Sequence, residues 1–161
     1  MNARWIRLGQ TDPLRFDETC ARVAGAQRPG ASPIVLWGEG RDEYPFAVIA
    51  PVRLAPGKRV RWRSWGLAPA VAAYRQFGVT AYLNDEELWL RGRPIAQSVV
   101  KEIGRSIVVA SSFLIRFPES CVTTPSRELE HAFRLRLEAQ HGWQFEHSWP
   151  TRPEMLDYAL A

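Results

Sequence analysis

The chain has 161 residues, 46% hydrophobic and 24% charged, with a formal net charge of +4 and a pI of about 9.5. This length suffices for one domain with an ordinary core, and the balance excludes a disordered or collagen-like chain. No apolar run reaches the roughly 18–20 residues of a membrane-spanning helix, no apolar signal core follows Met1 to Arg7, and so mild a charge permits an anionic partner without requiring one.

In chain order, Thr11-Asp12-Pro13 is the first helix signal. Thr11 or Asp12 can accept from a free helix N–H, and proline is tolerated at the first helical position. Phe16, Cys20, Val23 and Ala24 then share one face, and Arg28-Pro29-Gly30 ends the helix. Pro33 to Trp37 and Phe46 to Ala50 are short apolar runs without alternation, which predicts two strands buried on both faces. Lys58 to Trp65 alternates, which predicts a strand with Arg59, Arg61 and Arg63 on one side and Val60 and Trp62 on the other. Ala70, Ala73, Tyr74 and Phe77 predict a helix from near Pro69 to Gly78.

A strand follows at Val79 to Leu83, then two strands joined by a turn at Arg91-Gly92-Arg93. Ile107 to Ala110 and Phe113 to Ile115 read as one interrupted strand. A tail helix begins at Thr124-Pro125, buries Leu129, Ala132, Phe133 and Leu137, and ends at Gly142. Thr151-Arg152-Pro153-Glu154 has the form of a capping box for a short last helix. The order predicts an α+β class, a mixed and mainly antiparallel sheet packed by helices, in a single domain over 1–161. Two cysteines without a CxxC pair argue against a disulfide scaffold or zinc site and fit a reducing compartment, with the cytoplasm as the default.

Four segments in this order carry a resemblance. They are Asp12 to Glu18, Val35-Leu36-Trp37 with Phe46 to Ile49, Tyr74 to Ala81, and Leu90-Arg91-Gly92-Arg93-Pro94-Ile95-Ala96-Gln97-Ser98 followed by Ser111 to Ile115. Together they resemble the lipoate/octanoate-protein ligase and transferase family, which shares its fold with biotin-protein ligases. The resemblance spans about residues 5–160 and implies a shortened, divergent domain of that fold. It implies a ligand site at Arg91, Gly92, Arg93, Ile95, Ala96, Gln97, Ser98 and Ser111, for lipoate, octanoate or an acyl-AMP if the family site survives. It also implies an acidic lipoyl carrier domain as partner, for which Arg59, Arg61 and Arg63 would serve.

Two departures bear on activity. The family places a glycine-rich loop, whose backbone donors cradle the activated acyl group, in the region where this chain has Pro51 to Lys58, with one glycine and two prolines. The family's lysine on the acyl carbonyl is replaced by Pro94, and Lys101 lies too far along an extended strand to substitute directly. The sequence therefore predicts a catalytically degenerate domain, a protein- or ligand-binding module linked to lipoate metabolism. An active acyltransferase or ligase with a relocated residue, Cys121 or Lys101, is one alternative. A nucleic-acid-binding domain using Arg59, Arg61 and Arg63 is another. Cys20 reads as core. His131, His141 and His147 lack ligand spacing, so no metal is expected.

Overall fold

The computed structural model describes residues 1–114 and 126–155. The chain opens with strand β1 (Asn2–Gln10) and helix α1 (Pro13–Gly25), followed by β2 (Ile34–Glu39) and β3 (Glu43–Pro51). Two short 3-10 turns, Val52–Leu54 and Arg59–Arg61, lead into α2 (Trp62–Gln76). Five strands come next: β4 (Tyr82–Asn84), β5 (Glu87–Leu90), β6 (Arg93–Ala96), β7 (Val99–Ile103) and β8 (Ser106–Leu114). Helix α3 (Ser126–His141), β9 (Gln144–Ser148) and α4 (Arg152–Met155) complete the described chain.

Six strands form one sheet in the order β7-β8-β3-β2-β1-β9, and β4-β5-β6 form a second. β1 runs parallel to β2 and to β9, and every other pair is antiparallel. The class is thus α+β with a mixed, mainly antiparallel sheet, as the order of elements predicts. The parallel β1–β2 pair needs a crossover, and α1 supplies it. Asp12 caps α1 by accepting from the Arg15 N–H at 2.9 Å. Phe16, Cys20, Val23 and Ala24 of α1 pack on Ile6, Leu36, Ile49 and Val108 across one face of the large sheet. The other face carries Trp5, Trp37, Phe46, Val109 and Phe113, covered by α2, α3 and the small sheet.

The alternation at Lys58 to Trp65 does not make a strand. Arg59–Arg61 is a 3-10 turn, and α2 begins at Trp62, well before Pro69. Arg61 offers no side-chain cap there; instead Glu86, from the β4–β5 turn, accepts from the Ser64 N–H at 2.8 Å. A helix start needs acceptors for its free N–H groups, and this one comes from 22 residues downstream. β1, β7 and β9 are three further strands that the hydrophobic pattern does not announce. The Thr124 cap of α3 lies outside the described residues.

Candidate functional site

The β5–β6 hairpin turns at Arg91-Gly92, both with positive φ (52° and 78°), the two-residue geometry that matches strand twist. It brings Ile95, Ala96 and Gln97 against the end of β8. The Ser111 hydroxyl, in a residue 6% exposed, donates to the Gln97 carbonyl at 3.0 Å and fixes this junction. Tyr74 of α2 braces the same strand end, its hydroxyl accepting from the Leu114 N–H at 2.9 Å.

Between hairpin, β8 and the start of α1 lies a cavity of about 400 Å³. Phe16, Pro45, Ile95, Val99, Ala110 and Leu114 give it apolar walls, and Gln97, Ser111 and Ser112 add polar groups. Its charged lining residues, among those described, are Asp17 and Glu43. The negative field reaches their neighbours. Burial pushes the Cys20 thiol up to about 12, and Asp17 adds to that. Burial likewise raises the Tyr74 phenol, and Glu43 contributes. Cys20 is therefore a buried thiol held protonated, not a nucleophile.

The structure gathers Ile95, Ala96, Gln97 and Ser111 at this cavity. Gln97 and Ser98 also line an adjoining groove of about 540 Å³ with Glu87 and Pro94. Glu87 accepts from Ser98 (2.8 Å) and from Arg63 (2.9 Å), which ties α2 to the hairpin. Arg91, Gly92 and Arg93 are exposed at the hairpin tip and line neither space. Lys101 is exposed on edge strand β7, two residues beyond Val99 and outside the cavity lining, though its charge acts on the Cys20 thiol. Cys121 lies outside the described residues.

The three arginines expected on one strand face are parted by the turn-to-helix geometry. Arg59 is ion-paired with Glu102, Arg63 with Glu87, and Arg61 stays exposed. That removes the flat arginine stripe on which a nucleic-acid surface was expected. The histidines do not converge either: His141 packs between Trp65 and Trp143 at 4.9 and 4.6 Å, and His147 lies beside Arg134. No group of three or more metal-ligating side chains occurs among the described residues, and no helix there is long and apolar enough to cross a membrane.

Pro51 to Lys58 lies away from the cavity. β3 and β8 pair from Glu43–Leu114, at the cavity, to Pro51–Ser106. Eight residues at about 3.3 Å each put the two ends roughly 26 Å apart. Two of the segment's N–H groups are also engaged elsewhere: Val52 donates to the Arg105 carbonyl and Ala55 to the Val52 carbonyl. The hairpin and β8 thus build the cavity without it. Sequence reasoning missed Asp17 and Glu43 as lining residues, since Asp17 reads as a solvated helix position and Glu43 as part of a turn.

No family model matches the sequence, and no curated protein matches it. Solved structures do. The chain is similar to the bipartite lipoate protein ligase of an archaeal lipoylation system from Thermoplasma acidophilum, reported with its E2 lipoyl domain; the TM-score is 0.77 at 11% identity over 96% of this chain and 89% of that one. It is similar to lipoate-protein ligase A bound with ATP, with a TM-score of 0.76 at 11% identity over 96% and 91%. A biotin acetyl coenzyme A carboxylase synthetase from Helicobacter pylori, with bound biotinylated ATP, gives 0.59 at 10% identity over 87% and 75%. At these identities the likeness is one of fold, and the fold is that of lipoate and biotin protein ligases.

Proposed function

We propose that this chain, with the fold of lipoate and biotin protein ligases, is a catalytically degenerate form that binds an acyl arm rather than activating one. The observation that carries the reading is the charge of the cavity lining. Asp17 and Glu43 are its charged groups among the described residues. Acyl activation and transfer develop negative charge on the acyl oxygen, and that charge needs donors or cations placed against it. Pro94 supplies neither, and the charged group beside it in the adjoining groove is Glu87.

The same charges select the ligand. A free fatty or lipoic acid would bring a third carboxylate to the cavity. Like charges about 7 Å apart cost about 0.6 kcal/mol in water and about 2.4 kcal/mol at an effective dielectric constant of 20. An amide-linked acyl arm has no such charge. Its hydrocarbon suits the apolar walls, and the volume of about 400 Å³ falls in the range of small-molecule sites. The ligand is thus an acyl group already attached to a carrier lysine. One similar ligase was reported with its E2 lipoyl domain, which supports a lipoyl carrier as partner. Exposed Lys58, Arg59 and Arg61, just before α2, offer cations to an acidic carrier, with Arg59 also paired to Glu102.

The test is incubation with lipoate plus ATP, or with an octanoyl carrier, followed by intact-mass measurement of a lipoyl domain and of this chain. The expected result is no acyl transfer to either. Transfer to the lipoyl domain, or a mass gain on this chain that disappears in Cys121→Ala, overturns the reading. The expected positive signal is salt-sensitive binding of the acylated lipoyl domain, weakened in Arg59→Glu/Arg61→Glu.

A further inference from the structure

A second cavity, of about 360 Å³, opens at the other end of β3 and β8. It shares no lining residue with the acyl cavity, and its ligand chemistry is independent of the acyl reading. Three arginines reach it from three separate segments: Arg28 beyond α1, Arg53 after β3, and Arg105 in the β7–β8 turn. Backbone bonds hold these segments in place, Val52 N–H to the Arg105 carbonyl at 2.9 Å and Ala31 N–H to the Arg28 carbonyl at 3.1 Å.

Several arginines elsewhere are committed to a carboxylate: Arg4 to Glu154, Arg7 to Glu130, Arg59 to Glu102, Arg63 to Glu87 and Arg134 to Glu138. Arg28, Arg53 and Arg105 make no side-chain hydrogen bond or ion pair among the described residues. Glu102 also lines the cavity, and Arg59 engages it. The three exposed arginines line one space as like charges, and an anion bound between them would lower their mutual repulsion.

We propose that this cavity binds a small molecule through a diphosphate or longer phosphate group. Each guanidinium presents a fork of donors suited to paired oxygens. A single carboxylate has two oxygens and satisfies one fork, whereas a diphosphate can meet all three. Pro29, Pro51 and Val52 supply apolar lining for the organic body attached to the phosphates.

Calorimetric titration of the full chain with inorganic pyrophosphate, with citrate as the polycarboxylate comparison, tests this. The expected result is one pyrophosphate bound per chain, at least about tenfold more tightly than citrate. Arg53→Gln/Arg105→Gln should weaken it about tenfold or more, the scale of lost charge-assisted hydrogen bonds, with an unchanged thermal unfolding midpoint. Arg127→Gln, the same charge change on α3, should leave it unaltered. If the double variant fails to fold, the single variants carry the test, each expected to weaken binding severalfold. Absence of binding at millimolar pyrophosphate, equal affinity for citrate, or equal losses in Arg127→Gln and the cavity variants would overturn the proposal.

Discussion

Glu154 is 3% exposed and accepts both Arg4 Nη1 (2.8 Å) and Nη2 (2.9 Å), the Thr151 N–H (2.7 Å) and the Gln27 amide (2.7 Å). One side chain thereby joins β1, the end of α1 and α4. Burial alone would raise its carboxyl, but the Arg4 guanidinium and the other donors outweigh it and hold the pKa at about 2. Because the folded value lies below the unfolded one of 4.5, the linked stability is complete above about pH 4.5 and is lost as pH falls towards 2. Glu154→Gln should cost about 2 kcal/mol at pH 7 and flatten that acid limb, read by urea unfolding at pH 7 and pH 3. His141 gives a second, higher limb. Burial between Trp65 and Trp143 lowers its pKa from 6.5, so folding favours the neutral ring and stability declines as pH drops below about 6.5. His141→Phe should remove much of the slope between pH 7 and pH 5 in the same unfolding measurement.

At the scale of elements, α2 shows what the sequence could and could not reveal. Local signals sufficed for α1, since its cap, its proline and its buried stripe all lie within Asp12 to Ala24. They failed for α2 because its cap is Glu86 and because Pro69 lies inside the helix. Pro69 brings no N–H to the Trp65 carbonyl. The His141 ring, hydrogen-bonded to the Trp65 backbone and with no partner at Nε2, meets that need from α3. Both compensations are non-local, so no window of the sequence contains them. β1 and β9 were hidden for a related reason. β1 carries Arg4 and Arg7, whose charges are answered by Glu154 and Glu130, and β9 buries only Phe145 and is defined by pairing with β1. Hydrogen exchange on Glu86→Ala should show faster exchange in the first turn of α2, with about 1 kcal/mol lost overall. Gly66 makes a second test of this helix. A Cβ there would lie 2.6–2.9 Å from the Val109 side chain of β8. Gly66→Ala should therefore destabilise by roughly 1–3 kcal/mol despite the better helix propensity of alanine, and adding Val109→Ala should recover part of the loss in thermal denaturation.

Across the whole molecule, the large sheet separates two chemistries. Asp17 and Glu43 face a cavity at one end of β3 and β8, while Arg28, Arg53 and Arg105 surround another at the far end. The hairpin residues Ile95 to Gln97 and Ser111 were legible as a cluster because their order along the chain resembles a known pattern. The carboxylates opposite them were not, because α1 and the start of β3 approach the hairpin only in the folded chain. Under the proposed acyl reading, ligand choice at this cavity turns on what those carboxylates refuse. Calorimetric titration with octanamide and with octanoate at pH 7, on this chain and on Asp17→Asn/Glu43→Gln, measures it directly. Octanamide should bind at least about tenfold more tightly than octanoate, with the preference collapsing in the double variant, a ratio within the like-charge cost. Octanoate binding as tightly as octanamide to the unaltered chain would contradict it.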